Sequence, residues 1–190
     1  MTRFKTVVLA FIFFVTILVV THAAKFPGSL AYLMEVTHGQ PILDLKASFS
    51  SVETYQRLDA FGEMGRQLYM QTMLTIDTIF PVSAFLFLFI LAKYASEQMA
   101  LKSGLATVLK SLSIVYVTLD FLENATVGIL LSNYPTHIDF LAANIGYLTV
   151  GKRLSMYGAF FIPLVLFGVP KLIKFVQRER RPQISRQAHK

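Results

Sequence analysis

The amino-acid sequence predicts an all-α, polytopic membrane protein: four transmembrane helices in a bundle, with an amphipathic extramembrane helix between the first and the second. Three observations carry this. The 190 residues are 54% hydrophobic and only 15% charged, which is too apolar for an ordinary soluble domain. Four windows, residues 6–23, 75–94, 112–131 and 145–172, have about the 20 mostly apolar residues needed to cross a hydrocarbon core roughly 30 Å thick. Finally, the basic residues collect beside the ends of these windows on one side.

The first window invites a second reading, because Met1 to Ala24 also has the basic start, apolar stretch and small terminal residues of a signal peptide. An uncleaved span is preferred: the apolar run is long, and a count of four spans then leaves both termini on the basic side.

Residues 25–74 form the sizeable extramembrane segment. Pro27-Gly28 and Gly39-Gln40-Pro41 punctuate its first half with turns around a short apolar stretch, Leu30 to Met34. The second half opens on Ser50-Ser51-Val52-Glu53, a capping box in which Ser50 accepts from the Glu53 backbone while the Glu53 side chain reaches back. Val52, Tyr55, Leu58, Phe61, Met64 and Leu68 then recur every three or four residues, the pattern of an amphipathic helix. Its apolar stripe calls for a place on the membrane surface or across the tops of the other helices, with a turn at Gly62 or Gly65 into the second span.

In the second span Pro81 is positioned to kink the helix. The third carries Asp120, Glu123 and Asn124 near its middle, where each acid costs about 2.5–3.5 kcal/mol unless neighbouring groups offset it. The apolar stretch of the fourth begins as early as Phe140, and Gly151, Ser155 and Ala159 give it a series of small residues that allows close helix approach.

Twelve of the eighteen Lys and Arg residues fall on one side: Arg3 and Lys5, then Lys93, Lys102 and Lys110, then seven from Lys171 onward. Both termini therefore read as cytoplasmic. Residues 1–178 make one transmembrane domain and 179–190 a basic cytoplasmic tail, expected to be disordered. The net charge of +7 thus serves topology and attraction to membrane lipids rather than nucleic acid. The Lys171 to Arg181 cluster also suits a specific anionic lipid. A membrane-protein partner or a homo-oligomer remains open.

With no cysteine, disulfides, thiolate metal sites and cysteine nucleophiles are excluded. His22, His38, His137 and His189 lack ligand spacing. No Gly-rich phosphate loop, nucleophile elbow or HExxH helix occurs, so neither metal nor cofactor is expected.

The candidate chemistry lies on the third span. Tyr116, Asp120, Glu123, Asn124 and Val127 fall within an arc of about 100°, and acids in a span point into the bundle or a wet cavity. Asp120 and Glu123, three residues apart, can serve as a catalytic acid and base, as a proton or cation site, or as half of an interhelical ion pair that fixes packing. Lys152, Arg153 and Arg66 are the candidate cations. Lys152 lies about 28 Å above Lys171 at 1.5 Å per residue, near the outer interface, and must snorkel inward to meet Glu123. A second stripe, Gly62, Arg66, Tyr69, Met73 and Asp77, either lines a pocket with Arg66, Tyr69 and Asp77 or anchors the helix at the interface. The sequon at Asn124 would be buried in the bilayer and is discounted.

At Gly65-Arg66-x-x-Tyr69, Asp77-x-x-x-Pro81, Asp120-x-x-Glu123-Asn124 and Tyr134-Pro135, the chain resembles an uncharacterised family of small four-helix membrane proteins, over roughly Leu43 to Tyr157. The resemblance implies the architecture and brings no activity with it. Three functions fit the residues: binding of a lipid, amphiphile or membrane partner through a polar site; an intramembrane enzyme using Asp120 and Glu123, with Arg66, Tyr69 or Lys152 orienting a lipidic substrate; and a proton- or cation-coupled carrier.

Overall fold

The computed structural model describes the backbone of residues 2–187 and the side chains of residues 2–168; the side chains of the basic cluster from Lys171 and of the tail 179–190 lie outside the described residues. The described chain is helical throughout, without strands. Four stretches are long and apolar enough to cross a membrane: Phe4–Ala23, Gly62–Gln98, Ser103–Asn133 and Asp139–Gly168.

Helix α1 (Phe4–Leu18) ends in a π-helical turn, Val19–Ala23. Gly28, at φ +94°, turns the chain into α2 (Leu30–Val36), whose N-terminus is capped by Ser29 accepting from the Tyr32 amide. Helix α3 (Ser51–Ala60) starts where the capping box predicts, with Ser50 Oγ accepting from Glu53 N at 3.2 Å. The Glu53 side chain, instead of reaching back, pairs with Lys46 at 3.4 Å. Gly62, at φ +65°, makes the turn into α4 (Gly62–Leu74). Then follow α5 (Ile76–Gln98), α6 (Ser103–Asn133) and α7 (Asp139–Gln187).

Helices α5, α6 and α7 pack against one another, and α1 lies against α5. Phe4 meets Tyr94 at 6.0 Å and Tyr94 meets Phe167 at 5.4 Å between ring centroids, so the start of α1 and the end of the described part of α7 share one end of the bundle. The opposite end is covered by a cap of α2, α3, α4 and the segment 40–50. The cap has its own core, in which Leu33, Leu43 and Leu58 are fully buried, each worth about 1.5–3 kcal/mol. By contrast Leu9, Ile12, Leu122, Leu154 and Val165 are exposed, an outward-facing apolar belt suited to acyl chains.

Segment 40–50 has no regular structure and is held by its backbone carbonyls. The Lys46 carbonyl accepts from both Arg57 terminal nitrogens, at 2.7 and 2.6 Å. Burial lowers the Arg57 pKa from its ordinary value, with Glu53 opposing the shift. The Ser48 carbonyl accepts from Gly146 N at 2.8 Å, and Thr54 Oγ1 donates to the Ala142 carbonyl at 2.9 Å. Arg57→Met keeps most of the buried stem and deletes the fork. We expect a loss of about 1.5–3 kcal/mol and faster proteolysis within 40–50; an unchanged melt and digestion pattern would show that the fork is dispensable.

Candidate functional site

All five residues of the predicted α6 face are buried, Glu123 and Val127 at 0% exposure. They meet α7, which approaches closely because Gly151 and Ser155 are small; a Cβ on Gly151 would stand 3.1 Å from Leu119 Cδ1. Lys152 Nζ lies 3.0 Å from Asp120 Oδ1, contacts Glu123 Oε2 and stands 3.8 Å from Asp44 Oδ1. Thr149 Oγ1 donates to the other Glu123 oxygen. One ammonium, with three protons to give, thus sits among three carboxylates, two from α6 and one from segment 40–50. A buried ion group of this kind holds together well, but losing either sign leaves the other unpaired at large cost.

Asp44 comes from segment 40–50 and is brought into place by the carbonyl contacts above. The Asp44 carbonyl itself accepts from Arg153 Nη2 at 2.5 Å.

Asp77 is placed by the break between α4 and α5. At Thr75 the backbone leaves the helical region, with φ −114° and ψ −85°. The carbonyls freed at the end of α4 are capped by hydroxyls: Thr75 Oγ1 donates to Gln71 O at 2.7 Å, and Thr78 Oγ1 to Met73 O at 3.2 Å. Pro81, lacking an N–H, cannot bond the Asp77 carbonyl one turn back. Asn124 of α6 supplies the donor instead, at 3.4 Å, and also reaches Asp120 Oδ2 at 3.4 Å. Asp77 and Asp44 line the same cavity.

These groups surround a cavity of about 210 Å³ beneath the cap. Its polar lining comes from Asp44, Asp77, Asp120, Lys152, Arg153, Tyr69 and Tyr116, and its apolar lining from Leu30, Ile42, Leu45, Ile76, Phe80 and Met156. The π-helical turn closes one side with Thr21 and His22, the His22 ring standing edge-on to Phe80 at 4.6 Å. Three hydroxyls in the lining, Tyr69 Oη, Thr72 Oγ1 and Tyr116 Oη, are buried without a hydrogen-bond partner. Such groups are expensive to leave unpaired in an apolar interior.

The structure brings Tyr69, Asp77, Tyr116, Asp120 and Lys152 to one cavity. Asn124 stands behind Asp77 and Asp120 as their tie. Glu123 contacts Lys152 and Thr149 and is not among the residues that line the space, whereas Asp120 is. Arg66 is elsewhere: its guanidinium lies 3.8 Å over the Tyr134 ring and donates to Leu58 O at 2.9 Å. Asp44, Thr72 and His22 join the site without a prior sign in the sequence, since none belongs to the polar stripes of the spans. Among the described residues no group of three His, Cys, Asp or Glu side chains is placed to hold a metal ion. No protein-family model, curated protein or solved structure matches the chain.

Proposed function

We propose that the chain is a multi-pass membrane protein, with both termini in the cytoplasm and the cap on the opposite side, that binds the polar end of a lipid or other amphiphile in the capped cavity. The basic residues beside the chain-terminal end of the bundle support the orientation. The observation that carries the binding reading is the mixed lining: carboxylates, two cations and unpaired hydroxyls share one cavity with aliphatic and aromatic side chains. At about 210 Å³ the space falls below the roughly 300 Å³ at which sites for whole drug-sized ligands begin. It suits a headgroup whose tail lies elsewhere.

The test is native mass spectrometry of protein released gently from its own membranes. Wild type should retain an amphiphile at fixed stoichiometry, and Met156→Trp, which adds bulk to the lining, should lose it and the stabilisation it gives while still melting cooperatively as a monodisperse protein. The chain has no tryptophan, so the introduced indole also reports on the cavity. If wild type carries nothing and no extract of the native lipids raises its melting temperature, the reading fails.

A further inference from the structure

The charge balance of the cavity selects among amphiphiles, an inference that rests on the binding reading above. Of the carboxylates in the lining, Asp120 and Asp44 lie within 4.0 Å of the Lys152 ammonium, at 3.0 and 3.8 Å. That ammonium is also in contact with Glu123, while Asp44 Oδ1 lies beyond hydrogen-bond distance of it. Asp77 forms no ion pair among the described residues, and it lines the same cavity as Asp44, whose Oδ1 is buried without a hydrogen-bond partner. Two carboxyls in one cavity away from water oppose joint ionisation unless a cation or a proton lies between them. No metal site is formed there by the described residues.

An acidic pair alone would not define a ligand, but the neighbouring hydroxyls point to one. Tyr116 is 2% exposed and Thr72 is 5% exposed; both hydroxyl oxygens lack partners, and both residues line the same cavity as Asp77. We infer that the headgroup bound here is a protonated amine with a neighbouring hydroxyl and no phosphate, its N–H groups taken by Asp77 and Asp44 and its hydroxyl by Tyr116 and Thr72. The aliphatic lining of the cavity then receives the first carbons of the tail. A phosphate would be opposed by the same carboxylates, with Lys152 held by Asp120 and Glu123 and the Arg153 guanidinium, which also lines the cavity, donating to the Asp44 carbonyl.

The experiment compares dodecylamine, dodecanol and dodecyl phosphate, equal in chain and different in headgroup charge, against the full-length protein in zwitterionic nanodiscs. Binding is read by thermal shift and by displacement of the native amphiphile. The amine should bind about tenfold more tightly than the alcohol, reflecting charge-assisted hydrogen bonds, and the phosphate should not compete. Asp77→Asn should erase the advantage of the amine while leaving the alcohol unchanged; Asp44→Asn takes its place if that variant does not fold. Equal binding of amine and alcohol by wild type overturns the inference and leaves amphiphile binding standing. Preference for the phosphate overturns it in favour of recognition by Lys152 and Arg153. Binding of none of the three, together with no native amphiphile, overturns both.

Discussion

Lys152→Met is expected to lower stability by about 3–5 kcal/mol, enough to remove most folded protein, because it leaves carboxylates buried without their cation. The ammonium contacts Asp120 and Glu123 directly, at 4% and 0% exposure, and no other described basic group pairs with either. Fluorescence-detected size exclusion and thermal melting in mild detergent measure the loss. Adding Asp120→Asn and Glu123→Gln to Lys152→Met should recover much of it, since the charges are then removed together. Glu123→Gln alone should be mild, because Lys152 keeps Asp120. A Lys152→Met protein that melts like wild type would show that the cluster bears no net charge to neutralise.

The second large effect is expected at Gly146. A Cβ there would lie 2.4 Å from the Ser48 carbonyl oxygen and 2.8 Å from the Phe49 ring, and the carbonyl is the one to which Gly146 N donates. A backbone atom cannot step aside as a flexible side chain can, so Gly146→Ala must lift segment 40–50 off α7. The expected loss is about 3 kcal/mol, the upper part of the range for overpacked sites. The same displacement withdraws Asp44 from Lys152, so amphiphile retention should fall with stability. Gly104→Ala, whose added carbon meets nothing, is the control and should be neutral. A wild-type melt for Gly146→Ala would mean that the segment does not rest on α7.

Helix periodicity made the α6 face readable because α6 is one uninterrupted helix, Ser103–Asn133; there the angular arithmetic holds from Tyr116 to Val127. The second stripe is less simply read. Arg66 and Tyr69 share the uninterrupted helix α4, but the long Arg66 side chain turns to Tyr134 while Tyr69 lines the cavity, and Asp77 reaches it only from beyond the break at Thr75. Threonine is no strong helix breaker, and the break depends on hydroxyls capping the carbonyls at the end of α4. Asp44 was hidden for another reason. It sits in a segment without periodicity, positioned by long-range carbonyl contacts to Arg57, Gly146 and Arg153, and nothing local marks it. The capping box at Ser50, a wholly local signal, placed the start of α3 correctly.

The first span, finally, is a wall of single thickness. It rests on α5 and, through its π-helical turn, on α2, while the roof above the cavity is latched by Arg57, Thr54 and Gly146. The yielding direction is therefore sideways. If the cavity takes an amphiphile as proposed, the side bounded by Thr21 and His22 of this single helix is where entry would have to occur, and the supply would then be the surrounding leaflet rather than the water outside.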